Sequence, residues 1–299
     1  MSVFDEPKID CHCHLLDPAR FPYRPDTPYR PAGQEIATVG QMNQMFGAYG
    51  VGRALLVQPN SGYGADNRCM LDAIAGSGGR FKGVAVVPHD VGLDALAALK
   101  SQGIVGVAFN LPFYSVAHYL ETDALLAKLV ELDMFLQIQF HEDQLLALLP
   151  LIGRSPVRLL IDHCGRPDLA AGLDGTAFQA LLDLGRRGRA SIKLSGPGKF
   201  SHQAHPFADT WPFVQAIVQA YGLDACMWGS DWPFLRATER VDYGPLLTLV
   251  EAWFPDPVDR RQLFWGTAAR LFAFDGPVVS RAGLVGGGAP NNDSYTGRR

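Results

Sequence analysis

Eight short apolar runs, separated by longer segments of helical periodicity, constrain this chain more than any other feature. The runs are Lys8 to Cys13, Arg53 to Gln58, Gly83 to Val87, Gly106 to Asn110, Phe135 to Phe140, Arg158 to Asp162, Ala190 to Leu194 and Ala225 to Gly229. Most are rich in side chains that fit a pleated, buried surface, and they give way to polar residues or glycine. Between them lie "DNRCMLDAIAGSG", "GLDALAALKSQG", "TDALLAKLVELD", "EDQLLALLPLIG" and "AFQALLDLGRRG", in which Leu and Ala recur at helical spacing. Strands too continuously apolar for one wet face, alternating with helices, make a parallel sheet covered by its own crossovers. Eight such units over about 250 residues predict an α/β fold, a (β/α)8 barrel of the TIM type. An open doubly wound sheet would carry a GxGxxG turn after its first strand, and "KIDCHCHLLD" has none.

The chain has 299 residues, 47% of them hydrophobic and 19% charged, enough for one large core. We expect a single domain over 1–277 and a flexible tail over 278–299, where the text becomes "GLVGGGAPNNDSYTGRR" from Gly283. A net charge of -4 without a basic cluster argues against nucleic acid and anionic membranes as partners, leaving a small molecule. Five scattered cysteines suit reduced thiols and a cytoplasmic location rather than a disulfide framework. No run approaches the roughly 18 apolar residues of a membrane span, and Met1 to Pro7 lacks the pattern of a secretory signal. The Pro-rich stretch "PARFPYRPDTPYRPA" after the first strand reads as a loop capping the site or as a surface excursion.

Chemistry concentrates at the carboxyl ends of the runs, where barrel active sites lie. Strand alternation predicts that Asp10, His12 and His14 share the face toward the mouth while Cys11 and Cys13 pack against the helices. His163 follows the sixth run in "LLIDHCGRPD", and Asp231 follows the eighth in "MWGSDWPF". Each alone could be a hydrogen-bonded strand-end residue or a cap. Together they form a set.

HxH after the first strand, His after the sixth and Asp after the eighth resemble the amidohydrolase superfamily. The segments "DCHCH", "RFPYRPDTPY", "ADNRCMLDA", "VGVAFN", "DHCGRPD" and "WGSDWP" are similar to its amidohydrolase-related lactonases, of the kind that open 2-pyrone-4,6-dicarboxylate. The resemblance implies a distorted barrel and an enzyme of carboxylic ester hydrolysis, placed in aromatic or sugar-acid catabolism. It implies Asp231 as general base, its pKa raised toward the working range by burial, and His12, His14 and His163 as carbonyl-polarising or metal-contacting residues. Alternatives on the same barrel are a metal-dependent decarboxylase and a non-catalytic ligand-binding relative.

Imidazoles and a carboxylate at one mouth suit Zn²⁺ or Mn²⁺ on His12, His14 and Asp231. The resemblance leaves two options, no required cofactor or one divalent metal at most. The fourth run, "VGVAFN", lacks the lysine that bridges two metals in many relatives, which makes a binuclear site improbable. His141 in "LQIQFHED" either supplies a fifth-strand ligand or caps a loop. Arg166 and Lys199 are expected to bind substrate carboxylates, the alternative being solvated cations, with Tyr29 and Ser61 as hydrogen-bond donors. Arg68 is expected to brace its turn through Asp66. "FNLPFYSVAHY" holds no arginine where the pyrone lactonases grip a second carboxylate, so a monocarboxylated or less polar lactone fits better, against a wall of Phe113 and Tyr114.

Overall fold

The computed structural model describes residues 2–274. The proposed tail over 278–299 lies outside the described residues. Eight parallel strands follow one another in chain order: β1 Lys8–Cys13, β2 Val51–Val57, β3 Phe81–Ala85, β4 Ile104–Asn110, β5 Phe135–Gln139, β6 Arg158–Ile161, β7 Ala190–Leu194 and β8 Cys226–Trp228. The sequence runs locate all eight, with ends displaced by up to two residues. The barrel closes beyond β8, where Asp231 N–H donates to His12 C=O (2.7 Å) and His14 N–H to Trp232 C=O (2.8 Å). Gly229 permits this approach, because a Cβ there would stand 2.7 Å from His12 Cβ and 2.8 Å from His12 N.

The connecting segments fold as their periodicity predicts, into Arg68–Ala75, Leu93–Ser101, Asp123–Glu131, Gln144–Arg154 and Thr176–Arg186. Another helix, Val39–Ala48, starts in a capping box, Thr38 and Gln41 each satisfying the other's backbone N–H, a motif worth about 1 kcal/mol. Its Met42 and Phe46 join the large apolar layer between sheet and helices. The barrel interior is a separate apolar cluster of Ile9, Cys11, Leu55, Val84, Phe135, Leu160 and Met227. Ala268, Phe272 and Phe274 of the closing helix region plug it. This floor is dry, so polar chemistry is confined to the layers above it. Among the described residues, no helix is long and apolar enough to cross a membrane, and all five cysteines are free and buried.

The strand faces of β1 differ from simple alternation. From Asp10 to Cys13 the strand advances three residues while its partner advances two, from Ala54 to Leu56. This β-bulge inserts one residue and reverses the alternation beyond it. Cys11 therefore packs in the barrel interior and Cys13 in the helix layer, rather than both in the latter. Asp10 turns outward instead of lying beneath the histidines, and accepts from Tyr243 Oη (2.9 Å), Ser230 Oγ (2.6 Å) and Ser230 N–H (2.9 Å). The bulge is what lets His12 and His14 both reach the mouth.

Candidate active site

Three imidazoles converge on one carboxylate oxygen at the mouth. His12, His14 and His163 place Nε2 at 3.7, 3.6 and 3.8 Å from Asp231 Oδ1, and all four residues are buried. Asp231 Oδ2 holds the Lys199 ammonium at 2.9 Å. The structure thus brings Lys199 to the carboxylate, while its side chain also lines the cavity described below.

The backbone is strained here. His163 (φ +52°), Cys164 (φ +57°), Arg166 (φ +44°) and Asp231 (φ +65°) all occupy the left-handed region, at about 1–2 kcal/mol each. Such strain concentrates where geometry serves chemistry. Gly196 (φ +55°) lets the chain after β7 pass His163, since a Cβ there would stand 2.8 Å from His163 Nδ1.

The inner ring nitrogens are each held by a polar partner. His14 Nδ1 lies 2.8 Å from Val57 C=O, which can only accept, so Nδ1 carries a hydrogen. His12 Nδ1 lies between the Asp162 carboxylate (3.2 Å) and the Lys193 ammonium (3.3 Å), an acceptor and a donor, and so serves either tautomer. His163 Nδ1 meets Ser195 Oγ at 3.0 Å, a hydroxyl that serves either tautomer. Burial drives His12 down to about 4, against the raising effect of Asp162, and drives His163 well below the usual imidazole range. Neutral imidazoles gathered at a carboxylate suit metal ligation. Their spacing is near the roughly 3.4 Å edge around a tetrahedral ion with bonds of about 2.0–2.1 Å.

His12, His14 and Asp231 accordingly form one group able to hold a cation; His12, Asp162 and His163 form a second that overlaps it. The second already faces an ammonium. Lys193 Nζ lies 3.0 Å from Asp162 Oδ1, 2.6 Å from Gln137 Oε1 and 3.3 Å from His12 Nδ1, wholly buried. Gln137 Nε2 donates to Asp162 Oδ2 (2.7 Å). The donor geometry suits a bound cation, and the option of no metal draws no support from it.

For Asp231, burial raises the pKa, but Lys199 and the imidazoles more than offset it and hold the carboxyl well below the usual range. This reverses the expected upward shift. The sequence indicated the carboxylate but not that Lys199 would fold onto it.

A cavity of about 710 Å³ opens above these residues, walled in part by Ser61, Asn110, Phe113, His141, Arg166 and Phe234. Tyr29 is absent from its lining. The hydroxyl of Tyr29 donates to the Glu35 carboxylate (2.7 and 2.8 Å to its two oxygens), and Arg236 lies over its ring. The Pro-rich loop backs the wall instead of lining it, with Tyr23 packed over Gly62 and Arg24 N–H donating to Gly62 C=O. Tyr114 is 40% exposed, stacks on His118 and is absent from the lining, whereas Phe113 contributes to the wall as expected. Arg68 pairs with Asp66 as expected (2.7 Å).

Asp162, Lys193, Gln137 and Ser195 were not singled out from the sequence. A signal existed in "LQIQF" and "ASIKL", where a polar residue interrupts the inward face of a buried strand. His141 joins neither donor group; burial first, then Arg166 and Lys199, push it down to about 4. It therefore stays neutral in the folded protein between pH 4 and 6.5, where the unfolded chain takes up a proton. Its contribution to stability is lost as pH falls through that window. Replacing Arg166 with Gln should raise the His141 pKa, seen as an upfield-to-downfield NMR titration at higher pH. An unmoved midpoint would mean that the two do not interact.

The amidohydrolase family profile matches residues 9–274. The chain belongs to the amidohydrolase family. It is 33% identical over 272 residues to the 4-sulfomuconolactone hydrolase of Rhizobium radiobacter, covering 88% of this chain and 89% of that protein. It is 27% identical to the 2-pyrone-4,6-dicarboxylate hydrolase of Comamonas testosteroni, again over 88% and 89%. The crystal structure of a probable 2-pyrone-4,6-dicarboxylic acid hydrolase from Acinetobacter baumannii, with citric acid bound, superposes with a TM-score of 0.81 at 26% identity. It covers 89% of this chain and 99% of that one. This amidohydrolase is thus an enzyme of the lactone hydrolase group, acting on carboxylic ester bonds.

Proposed function

We propose that this amidohydrolase opens the ring of a small carboxylated lactone by water attack, with Asp231 as general base. The observation that carries the reading is the convergence of His12, His14 and His163 on Asp231 Oδ1 beneath a cavity that contains Arg166. Burial brings Arg166 down to about 10, so it remains a cation at neutral pH and suits a substrate carboxylate. The relatives are lactone hydrolases by name, and the Acinetobacter structure holds a carboxylated ligand.

Asp231 orients a water and takes its proton as the water oxygen bonds to the lactone carbonyl carbon. The carbonyl oxygen becomes an oxyanion, which the site must stabilise. His163 can donate from Nε2, since Ser195 Oγ accommodates the tautomer that leaves Nδ1 bare. Collapse breaks the bond from the carbonyl carbon to the ring oxygen, and Asp231 returns the proton to that oxygen, giving a hydroxy acid. A divalent cation, Zn²⁺ or Mn²⁺, would be held by His12, His14 and Asp231 with His163 as a further donor, and would supply Lewis acidity. Lys193 compensates the second donor group, which favours one ion over two.

A lactone panel assayed at mildly alkaline pH, with elemental analysis of the purified enzyme, tests both parts. Ring opening with close to one equivalent of metal is expected. No turnover of any lactone would overturn the activity, and two tightly bound equivalents would overturn the single-ion site.

A further inference from the structure

Three buried polar side-chain atoms among the described residues have no hydrogen-bond partner, and all three belong to residues that line the cavity: Gln58 Oε1, Asn60 Nδ2 and Arg166 Nε. Such atoms are costly unless something satisfies them. Gln58 and Asn60 follow β2 and are 2% and 8% exposed.

The neighbours fix which end of each amide is free. Gln58 Nε2 donates to Gly64 C=O (3.1 Å) and Asp66 C=O (2.9 Å), a pair that only an NH₂ group can serve. Its oxygen is therefore the unpaired acceptor. Asn110 Oδ1 accepts from Phe113 N–H (3.2 Å), which turns Asn110 Nδ2 onto Asn60 Oδ1 (3.1 Å). Asn60 must accept there, so its NH₂ is the unpaired donor. The β2 wall thus offers one acceptor and one donor, and neither the β2 nor the β4 end contributes a charged residue to the lining. Four strands away, and so across the mouth, the loop after β6 offers the Arg166 guanidinium, whose Nη2 reaches only Lys199 C=O at 3.5 Å.

We propose that the two walls divide the substrate: Gln58 Oε1 and Asn60 Nδ2 hold a neutral hydroxyl-bearing part, while Arg166 holds one carboxylate. The substrate class is a hydroxylated lactone with its carboxylate on the Arg166 side and none at the β2 wall, an inference that rests on the lactonase reading above. A hydroxyl both donates and accepts, so it matches the β2 wall. A second carboxylate there would meet the Gln58 carbonyl oxygen without a compensating cation.

Three probes separate the walls: D-glucaro-1,4-lactone (hydroxyls and carboxylate), D-galactono-1,4-lactone (hydroxyls, no charge) and muconolactone (carboxylate, no hydroxyl). The wild type should show its highest kcat/KM on the first. Asn60→Asp keeps the acceptor used by Asn110 but removes the free donor. It should lower kcat/KM about ten-fold on both hydroxylated lactones and less than about two-fold on muconolactone. Asn60→Ala serves the same comparison if the Asp variant misfolds. Arg166→Gln should show the complementary pattern, lowering both carboxylated probes and sparing the neutral one. Equal losses on all three probes, or a wild-type preference for muconolactone or 2-pyrone-4,6-dicarboxylate, would overturn the division while leaving the lactonase reading intact. Failure to open any lactone would instead remove the lactonase reading, and this inference with it.

Discussion

Asp231→Asn should lower kcat for ring opening by about 10²–10⁴-fold while leaving the fold and substrate affinity nearly unchanged. The substitution is conservative in the two respects that matter for folding. Asn adopts the left-handed region more readily than most side chains, so the φ of +65° at this position is retained without new strain. Its amide can turn Oδ1 to the Lys199 ammonium, now 2.9 Å from Asp231 Oδ2, and Nδ2 toward His12 and His14. Proton acceptance is lost, together with the charge that Asp231 offers to Lys199 and to a cation on His12 and His14. The wild-type carboxyl, held well below the usual range, stays ionised through the neutral region, so its titration should produce no acid limb between pH 5 and 8. Steady-state kinetics beside a thermal melt decide the matter. Turnover within about ten-fold of wild type, with an unchanged melt, would mean that the proton goes elsewhere.

The strand ends were legible because two periods act there at once. Alternation along "DCHCH" and the polar stops after "LLI" and "MW" mark a mouth, and the eight-fold rhythm puts those ends on one rim. The faces of β1 were not legible. The bulge between Asp10 and Cys13 is a register event between two strands, set by the pairing with Ala54 and Leu56, and nothing within "KIDCHC" announces it. Loop destinations were equally hidden. The Pro-rich loop could be recognised as a loop, yet whether Tyr29 reaches substrate or Glu35 depends on where residues distant in sequence return. The charge state of Asp231 failed for the same reason: burial was foreseeable, while the arrival of Lys199 from the loop after β7 was not. The donors on the β2 wall needed still more, because only the full hydrogen-bond pattern shows which atoms of Gln58 and Asn60 remain unpaired.

Lys193→Met should destabilise the protein by about 3–5 kcal/mol, a larger effect than any surface substitution, because it leaves a buried carboxylate without its ammonium. Lys193 and Asp162 are fully desolvated on the inward faces of β7 and the β6 end, with Gln137 and His12 as their remaining polar partners. For a chain of this size the loss corresponds to roughly 6–20 °C in Tm. Its pH dependence identifies the cause. Burial alone raises the Asp162 pKa, and Lys193 followed by His12 outweighs it, so the wild-type carboxyl lies far below its unfolded value and is ionised throughout pH 4–8. Without Lys193 the folded carboxyl prefers its proton. The variant should therefore lose stability as pH rises through the unfolded value near 4 and above, and the gap to wild type should be wider at pH 8 than at pH 4. A gap independent of pH would assign the loss to packing of the lysine stem, and a Tm within about 2 °C of wild type would show that the ammonium is not what holds Asp162 in place.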